Sequence, residues 1–253
     1  MTAYESMQIR RSVRKYEMES LSQRLLAQIG EDIASLKPLY PQAQISFEIR
    51  AGEQMDAAYR VGIRAPYYVV ILAEPTSKGR MNAGFMGEQL VLSLTTRGLG
   101  TCWLGSTSPK KKKKEAPFLM AISFGRPLES GLLETKYTHK RKPLEELLVG
   151  KDKLSAAMRD VLSAARLAPS AVNLQPCRYL VNGDAVAIVR RKVLVPHLDR
   201  MQDTDCGIAL AHMDVAARDK GLTVLETDLA AFAHSVSGYR YAYGLLFRHS
   251  HAE

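Results

Sequence analysis

Two short segments of the 253-residue chain carry the side chains best suited to holding a ligand. Residues 10–15 read Arg-Arg-Ser-Val-Arg-Lys, so Arg10, Arg11, Arg14 and Lys15 concentrate positive charge in one place. A guanidinium offers a planar fork that matches phosphate, and Ser12 adds a hydroxyl, so this segment reads as an anion clamp. The ordinary alternative is a solvated basic helix end, since Met7, Val13 and Tyr16 follow a roughly helical spacing. The second segment, residues 164–177, reads AARLAPSAVNLQPC. Ala164 and Ala165 favour a helix, Pro169 stops it, and Ser170 and Asn173 offer short polar groups to backbone or to a ligand. Gln175-Pro176 closes the loop before a strand over 178–181. A helix-to-strand turn alone accounts for this pattern in isolation. Cys102, Cys177 and Cys206 are odd in number and widely spaced, which fits neither a disulfide framework nor a zinc site.

The elements that must position these residues follow from periodicity. Apolar spacing predicts amphipathic helices over 21–36 and 154–167, and the longest helices over 82–97 and 205–220. A helix is also expected over 55–63 and a short one over 144–149. Strands are expected over 45–50, 67–72, 118–124, 178–181 and 185–189, with 67–72 (YYVVIL) buried at a sheet centre. Gly98 sits where a helix cap belongs, and the GLGTCWLG run, residues 98–105, predicts backbone that something approaches closely.

Hydrophobic residues make up 46% of the chain, enough for a sizeable core, which excludes a disordered protein. No signal segment is visible and no apolar run is long enough to span a bilayer, so a soluble, cytoplasmic protein is the expectation. The net charge is +9, but removing the five lysines of residues 110–114 leaves +4. With no interleaved aromatic residues, that run reads as a solvated loop, so neither nucleic-acid nor membrane binding is expected.

The two longest predicted helices repeat at an offset of 123 residues: Gly84 falls on Gly207, Gly98 on Gly221 and Leu99 on Leu222. The expectation is an α+β chain of two related halves, 1–150 and 151–253, packed like the subunits of a dimer.

Taken together, RRSVR (10–14), GLGTCWLG (98–105), GRP (125–127) with RKPLEEL (141–147), and APSAVNLQP (168–176) resemble the FMN-dependent nitroreductase family. Each match is weak alone, and together they span most of the chain. The resemblance implies a nitroreductase-like three-layer fold in a fused, duplicated form, in which one chain imitates the family homodimer. The first half has RRSVR but only SLKPLYPQAQ (35–44) where its own APS loop belongs; the second has the loop without the arginine motif. One complete flavin site per chain is therefore implied, in a chain that acts as a monomeric pseudo-dimer.

By the same resemblance, Arg10, Arg11 and Ser12 hold the FMN phosphate and ribityl end, with Arg141 assisting, and Arg14 lies near the flavin N1/O2 edge. Backbone of Cys102, Trp103, Leu104 and Gly105 passes along one flavin face. Pro169, Ser170, Ala171, Asn173 and Gln175 contact the flavin from the second half. The implied function is an NAD(P)H oxidoreductase that reduces nitroaromatic, quinone or similar electron-poor acceptors by ping-pong exchange. The flavin does the chemistry and no side chain is assigned as catalytic. Ala171 stands where a second serine is common and Cys177 where an aromatic residue is usual. His139 occupies a position often basic in the family. Those departures motivate the alternative of a catalytically degenerate flavin-binding protein acting as sensor or scaffold.

Overall fold

The structure, a computed structural model, describes residues 1–55, 62–105, 118–138, 140–150, 153–191, 193–234 and 236–249. The lysine run 110–114 and His139 lie outside them, as do residues 56–61 of the helix expected over 55–63. Two compact units divide the chain, Met1–Thr138 and His139–Glu253. That boundary falls ahead of the expected Gly150 and places Arg141 in the second unit.

The first unit is built on four antiparallel strands in the order β1-β2-β4-β3: β1 (Ile45–Ala51), β2 (Tyr67–Ala73), β3 (Gly100–Leu104) and β4 (Phe118–Gly125). Strand β2 is apolar along its whole length because both its faces are covered. Tyr67, Val69 and Ile71 pack with Ile29 of α2 (Gln23–Ser35) and with Leu90, Val91 and Leu94 of α3 (Ser77–Thr96). The alternate residues Tyr68 and Val70 pack with Val13, Tyr16, Cys102 and Leu104. The arginine segment is thus anchored to the sheet by the two apolar residues within and beside it.

Residues 10–16 are not helical. Helix α1 (Ala3–Ile9) stops at Arg10, whose backbone turns extended. From there the chain runs beside β3: Val13 N–H donates to Thr101 O at 2.9 Å, and Leu128 N–H donates to Lys15 O. The Met7-Val13-Tyr16 spacing expected of a helix reflects burial of α1 and then of Val13 and Tyr16, three residues apart along a non-helical segment.

Helix α3 starts at Ser77 rather than Asn82, because Thr76 caps it by accepting the Gly79 N–H. It ends in a Schellman motif, with Gly98 at φ +74°, Gly98 N–H on Thr95 O and Leu99 N–H on Leu94 O.

In the second unit α4 (Leu144–Leu147) leads straight into β5 (Leu148–Val149), which pairs in parallel with β6 (Cys177–Asn182). The remaining strands, β7 (Ala185–Arg191), β8 (Leu222–Glu226) and β9 (Tyr239–His249), complete the order β5-β6-β7-β9-β8 with antiparallel pairings. Helix α5 (Ala156–Arg166) packs on α6 (Pro196–Asp219), and the small α7 (Ala230–His234) closes a core of Leu180, Ala187, Val189 and Ala233. Helix α6 begins nine residues before the expected Asp205 because Pro196 opens it at its first position. Its end repeats that of α3: Gly221 has φ +68° and its N–H meets Arg218 O.

Among the described residues no helix is long and apolar enough to cross a membrane, and no cluster of His, Cys, Asp or Glu could hold a metal ion.

Candidate functional site

In the first unit the three arginines of the clamp have different surroundings. Arg10 is buried, and its Nε lies 3.9 Å from Oε1 of the fully buried Glu88. Burial pulls its guanidinium down from the usual arginine range, and the Glu88 charge opposes that pull. Nε itself has no hydrogen-bond partner, an orphaned donor of the kind that a bound anion satisfies. Arg11 stacks over the Tyr137 ring at 4.6 Å and donates to Thr135 O at 2.9 Å. Ser12 and Arg14 are exposed.

Beside them runs β3, at one edge of the sheet. Cys102 and Leu104 are buried, Trp103 is half-buried and Gly105 begins the turn beyond. Burial pushes the Cys102 thiol up, against the effects of Arg14 and Ser12. The Trp103 indole lies on α3 and donates to Glu88 Oε2 at 2.8 Å. It fits only because Gly87 lacks a side chain: a Cβ there would sit 2.3 Å from Cη2. The close approach predicted for the glycine-rich run is made by the chain itself. A Cβ on Gly100 would lie 2.7 Å from Val13 Cγ2, so Gly100 is what lets the arginine segment lie against β3.

Glu88 joins Arg10 to Trp103 and was not among the residues the sequence singled out. A lone glutamate inside the apolar run 85–92 was the available signal.

In the second unit the loop after α5 is held by hydrogen bonds from three directions. Arg141 donates to Asn173 Oδ1 at 2.6 Å and to Leu167 O at 3.2 Å, while Asn173 Nδ2 donates to Lys140 O at 3.0 Å. Gln175 Oε1 accepts the Lys142 N–H at 2.8 Å, and the Gln175 N–H donates to Ser170 Oγ at 2.9 Å. From α6, Asp205 Oδ1 accepts the Ala171 N–H at 3.0 Å. The backbone these bonds enforce is unusual: Val172, Asn173 and Gln175 have φ of 43°, 58° and 51°. Asn tolerates that region, whereas a β-branched valine is strained there.

Pro169, Ser170 and Gln175, with Cys177 and Asp205, line a small pocket of about 20 Å³ that opens to solvent. Asn173 is exposed and Ala171 half-buried. Burial pushes the Asp205 carboxyl up to about 7, offset in part by the Ala171 N–H. Asp205 also escaped the sequence reading, since it marked only the expected start of a helix.

The residues fit an anionic, planar cofactor in character. The first unit offers a buried guanidinium nitrogen that makes no hydrogen bond, and exposed cations; the second, by itself, offers a loop fixed in one conformation with an exposed carboxamide.

A family profile described as "Putative TM nitroreductase" matches residues 2–217. Comparison with curated proteins gave no match. Among solved structures the chain is similar to a "putative nitroreductase" from Thermotoga maritima, with 24% identity and a TM-score of 0.68 over 97% of this chain and 94% of that one. It also aligns with a nitroreductase with bound FMN from Bacteroides fragilis (18% identity, TM-score 0.44, 55% of this chain and 96% of that one). A third alignment is with an FMN-dependent nitroreductase from Clostridium difficile (17% identity, TM-score 0.42, 54% and 92%). The Thermotoga likeness extends over nearly the whole chain and shows that the α+β fold is nitroreductase-like. The family supports an oxidoreductase role. With its profile running through both the arginine segment and the second-unit loop, the chain belongs to the nitroreductase family.

Proposed function

We propose that this protein is an FMN-dependent NAD(P)H oxidoreductase that reduces nitroaromatic, quinone or similar electron-poor acceptors, with one FMN per chain. The observation that carries the reading is the family profile, because residues 2–217 include all four segments whose side chains suit the cofactor. When bound, FMN supplies hydride transfer from nicotinamide and onward to the acceptor in ping-pong order.

The chain's own residues bind and orient. Arg10 and Arg11, with Ser12, take the phosphate and ribityl end, and the orphaned Arg10 Nε supports that role. Exposed Arg14 places a cation near the pyrimidine edge of the ring. The backbone of residues 102–105, on an edge strand, borders one face of the ring. Pro169, Ser170, Ala171, Asn173 and Gln175 present a preset surface to it, which reduces the ordering cost of binding. Arg141 serves this surface by holding Asn173. The matching caps at Gly98 and Gly221 support an origin by duplication, with the loop retained in the second half alone.

The test is the visible spectrum of purified, FMN-reconstituted protein, followed by anaerobic titration with NADH and NADPH. One flavin per chain, bleached by a nicotinamide and restored by a quinone or nitroaromatic, is expected. A protein that takes up no FMN overturns the cofactor assignment. One that binds FMN but is not bleached is the sensor or scaffold that Ala171 and Cys177 suggest.

A further inference from the structure

Cys177 and Cys206 are both free thiols, and their sulfur atoms lie 3.2 Å apart. Cys177 opens β6 directly after the loop, and Cys206 sits on α6 next to Asp205, the residue that holds Ala171. The two sulfurs have unequal access. Cys177 lines the solvent-open pocket with Pro169, Ser170 and Asp205, whereas Cys206 does not line it and is fully buried. The third cysteine, Cys102, belongs to the first unit.

We propose that Cys177 and Cys206 form a peroxide-reactive dithiol, a modification site that closes to a disulfide at the root of the loop. A hydroperoxide entering the pocket is attacked by the Cys177 sulfur. The O–O bond breaks, Cys177 becomes a sulfenic acid, and one water (or alcohol) leaves. The Cys206 sulfur then attacks the Cys177 sulfur. An S–S bond forms, the S–O bond breaks, and the departing hydroxide takes the Cys206 proton as a second water. Two electrons pass from the thiol pair to the peroxide.

The hydrogen bond to Cys177, together with burial, pushes the Cys206 thiol up, which disfavours it as the first nucleophile, and its 3.2 Å contact with Cys177 places it for the second step. The contact already present means that closure to a bond of about 2 Å needs only a small movement of the sulfurs. The product would tie the end of the loop to α6, beside the Asp205–Ala171 contact.

The experiment uses the full-length protein, reduced, freed of reductant and treated with hydrogen peroxide. The product is then denatured, alkylated and analysed by mass spectrometry, a readout independent of flavin or activity. The expected result is loss of two of the three alkylatable thiols, a chain lighter by about 2 Da, and a Cys177–Cys206 cross-linked peptide that dithiothreitol reverses. In Cys206→Ser the same treatment should leave a dimedone-reactive sulfenic acid at Cys177. Three thiols still alkylatable would overturn the proposal, as would oxidation of Cys177 with Cys206 left reduced, or a cross-link to Cys102.

Discussion

Asp205 holds the loop through one carboxyl oxygen alone: Oδ1 accepts the Ala171 N–H at 3.0 Å, and Oδ2 is buried with no hydrogen bond. At the position 123 residues earlier, Asn82 does the same work for the first unit with a neutral group. Its Oδ1 accepts the Leu39 and Tyr40 N–H groups, and its Nδ2 donates to Tyr40 O. The loop that Asn82 holds is the 35–44 stretch.

A carboxyl so placed makes stability depend on pH. Burial raises Asp205 to about 7, from an ordinary aspartate value of 3.8. Between those values the folded chain keeps a proton that the unfolded chain has released, so stability falls as pH rises through that window and levels off above it. A pKa difference of one between the folded and unfolded chains corresponds to about 1.4 kcal/mol, so the loss is on the order of a few kcal/mol. Asp205→Asn keeps an acceptor for Ala171 and removes the titration. Urea unfolding at pH 5 and pH 8 should show the variant gaining on the parent as pH rises. Identical pH slopes would rule out a buried, high-pKa Asp205.

Glu88 is the counterpart in the first unit, a fully buried carboxylate between Arg10 and the Trp103 indole. Glu88→Ala leaves the buried Arg10 charge without its counter-ion, at a cost of about 3–5 kcal/mol. Arg10→Ala strands Glu88 in the same way. The double substitution should cost less than the sum of the two, because the second change removes the charge that the first left exposed to the interior. Denaturant midpoints for the four chains of the cycle measure this, and strict additivity would show that the pair is not coupled.

Val172 offers a case in which removing a side chain helps. It is 83% exposed, so it contributes little packing, yet it sits at φ 43°. Val172→Gly relieves backbone strain of about 1–3 kcal/mol against an entropy cost nearer ~1 kcal/mol. The expected outcome is a higher urea midpoint, by up to about 1 kcal/mol in stability. A drop would mean that the loop does not hold this backbone in solution.

Much of the frame was legible because its signals are local. The buried character of β2, the glycine cap at Gly98 and the proline stop at Pro169 each follow from a few neighbouring residues. The extended course of residues 10–16 was not legible, because Val13 and Tyr16 are buried against β3 and β4, whose positions a periodicity argument cannot supply. Parallel pairing of β5 with β6 was hidden for the same reason, since Leu148 and Val149 look like the end of a helix until Tyr179 and Leu180 lie beside them. The candidate site residues could be named from motifs. Their supports, Glu88 and Asp205, could not, because what makes them matter is burial next to partners far away in the chain.

Gly100 should be the most sensitive position in the glycine-rich run. An added Cβ would meet Val13 at 2.7 Å from Cγ2 and 2.8 Å from Cβ, near backbone that cannot easily yield. Gly100→Ala is therefore expected to push the arginine segment off β3, costing about 1–3 kcal/mol as an overpacked site and weakening FMN uptake with it. Val13→Gly removes the opposing Cβ and both methyl groups. The Gly100→Ala/Val13→Gly chain should recover part of the FMN affinity lost by Gly100→Ala alone, read by quenching of flavin fluorescence. No recovery would place the fault elsewhere than in this contact.

Asn173 can act in two ways, and the two are separable. Its carboxamide either meets the flavin or fixes the loop through Arg141, to which it is bonded at 2.6 Å. A hydrogen bond to a charged group is worth about 1.5–3 kcal/mol, so Asn173→Ala should weaken FMN binding by roughly 10- to 100-fold. Ser170→Ala in the same chain frees the Gln175 N–H and should deepen the loss, with the far-UV circular dichroism unchanged. Arg141→Ala then discriminates. If Asn173 works only by holding the loop through Arg141, adding Asn173→Ala to Arg141→Ala costs no further affinity. If the carboxamide touches the cofactor, the combined variant loses more than Arg141→Ala alone. Unchanged FMN affinity in every one of these variants would remove the loop from the site altogether.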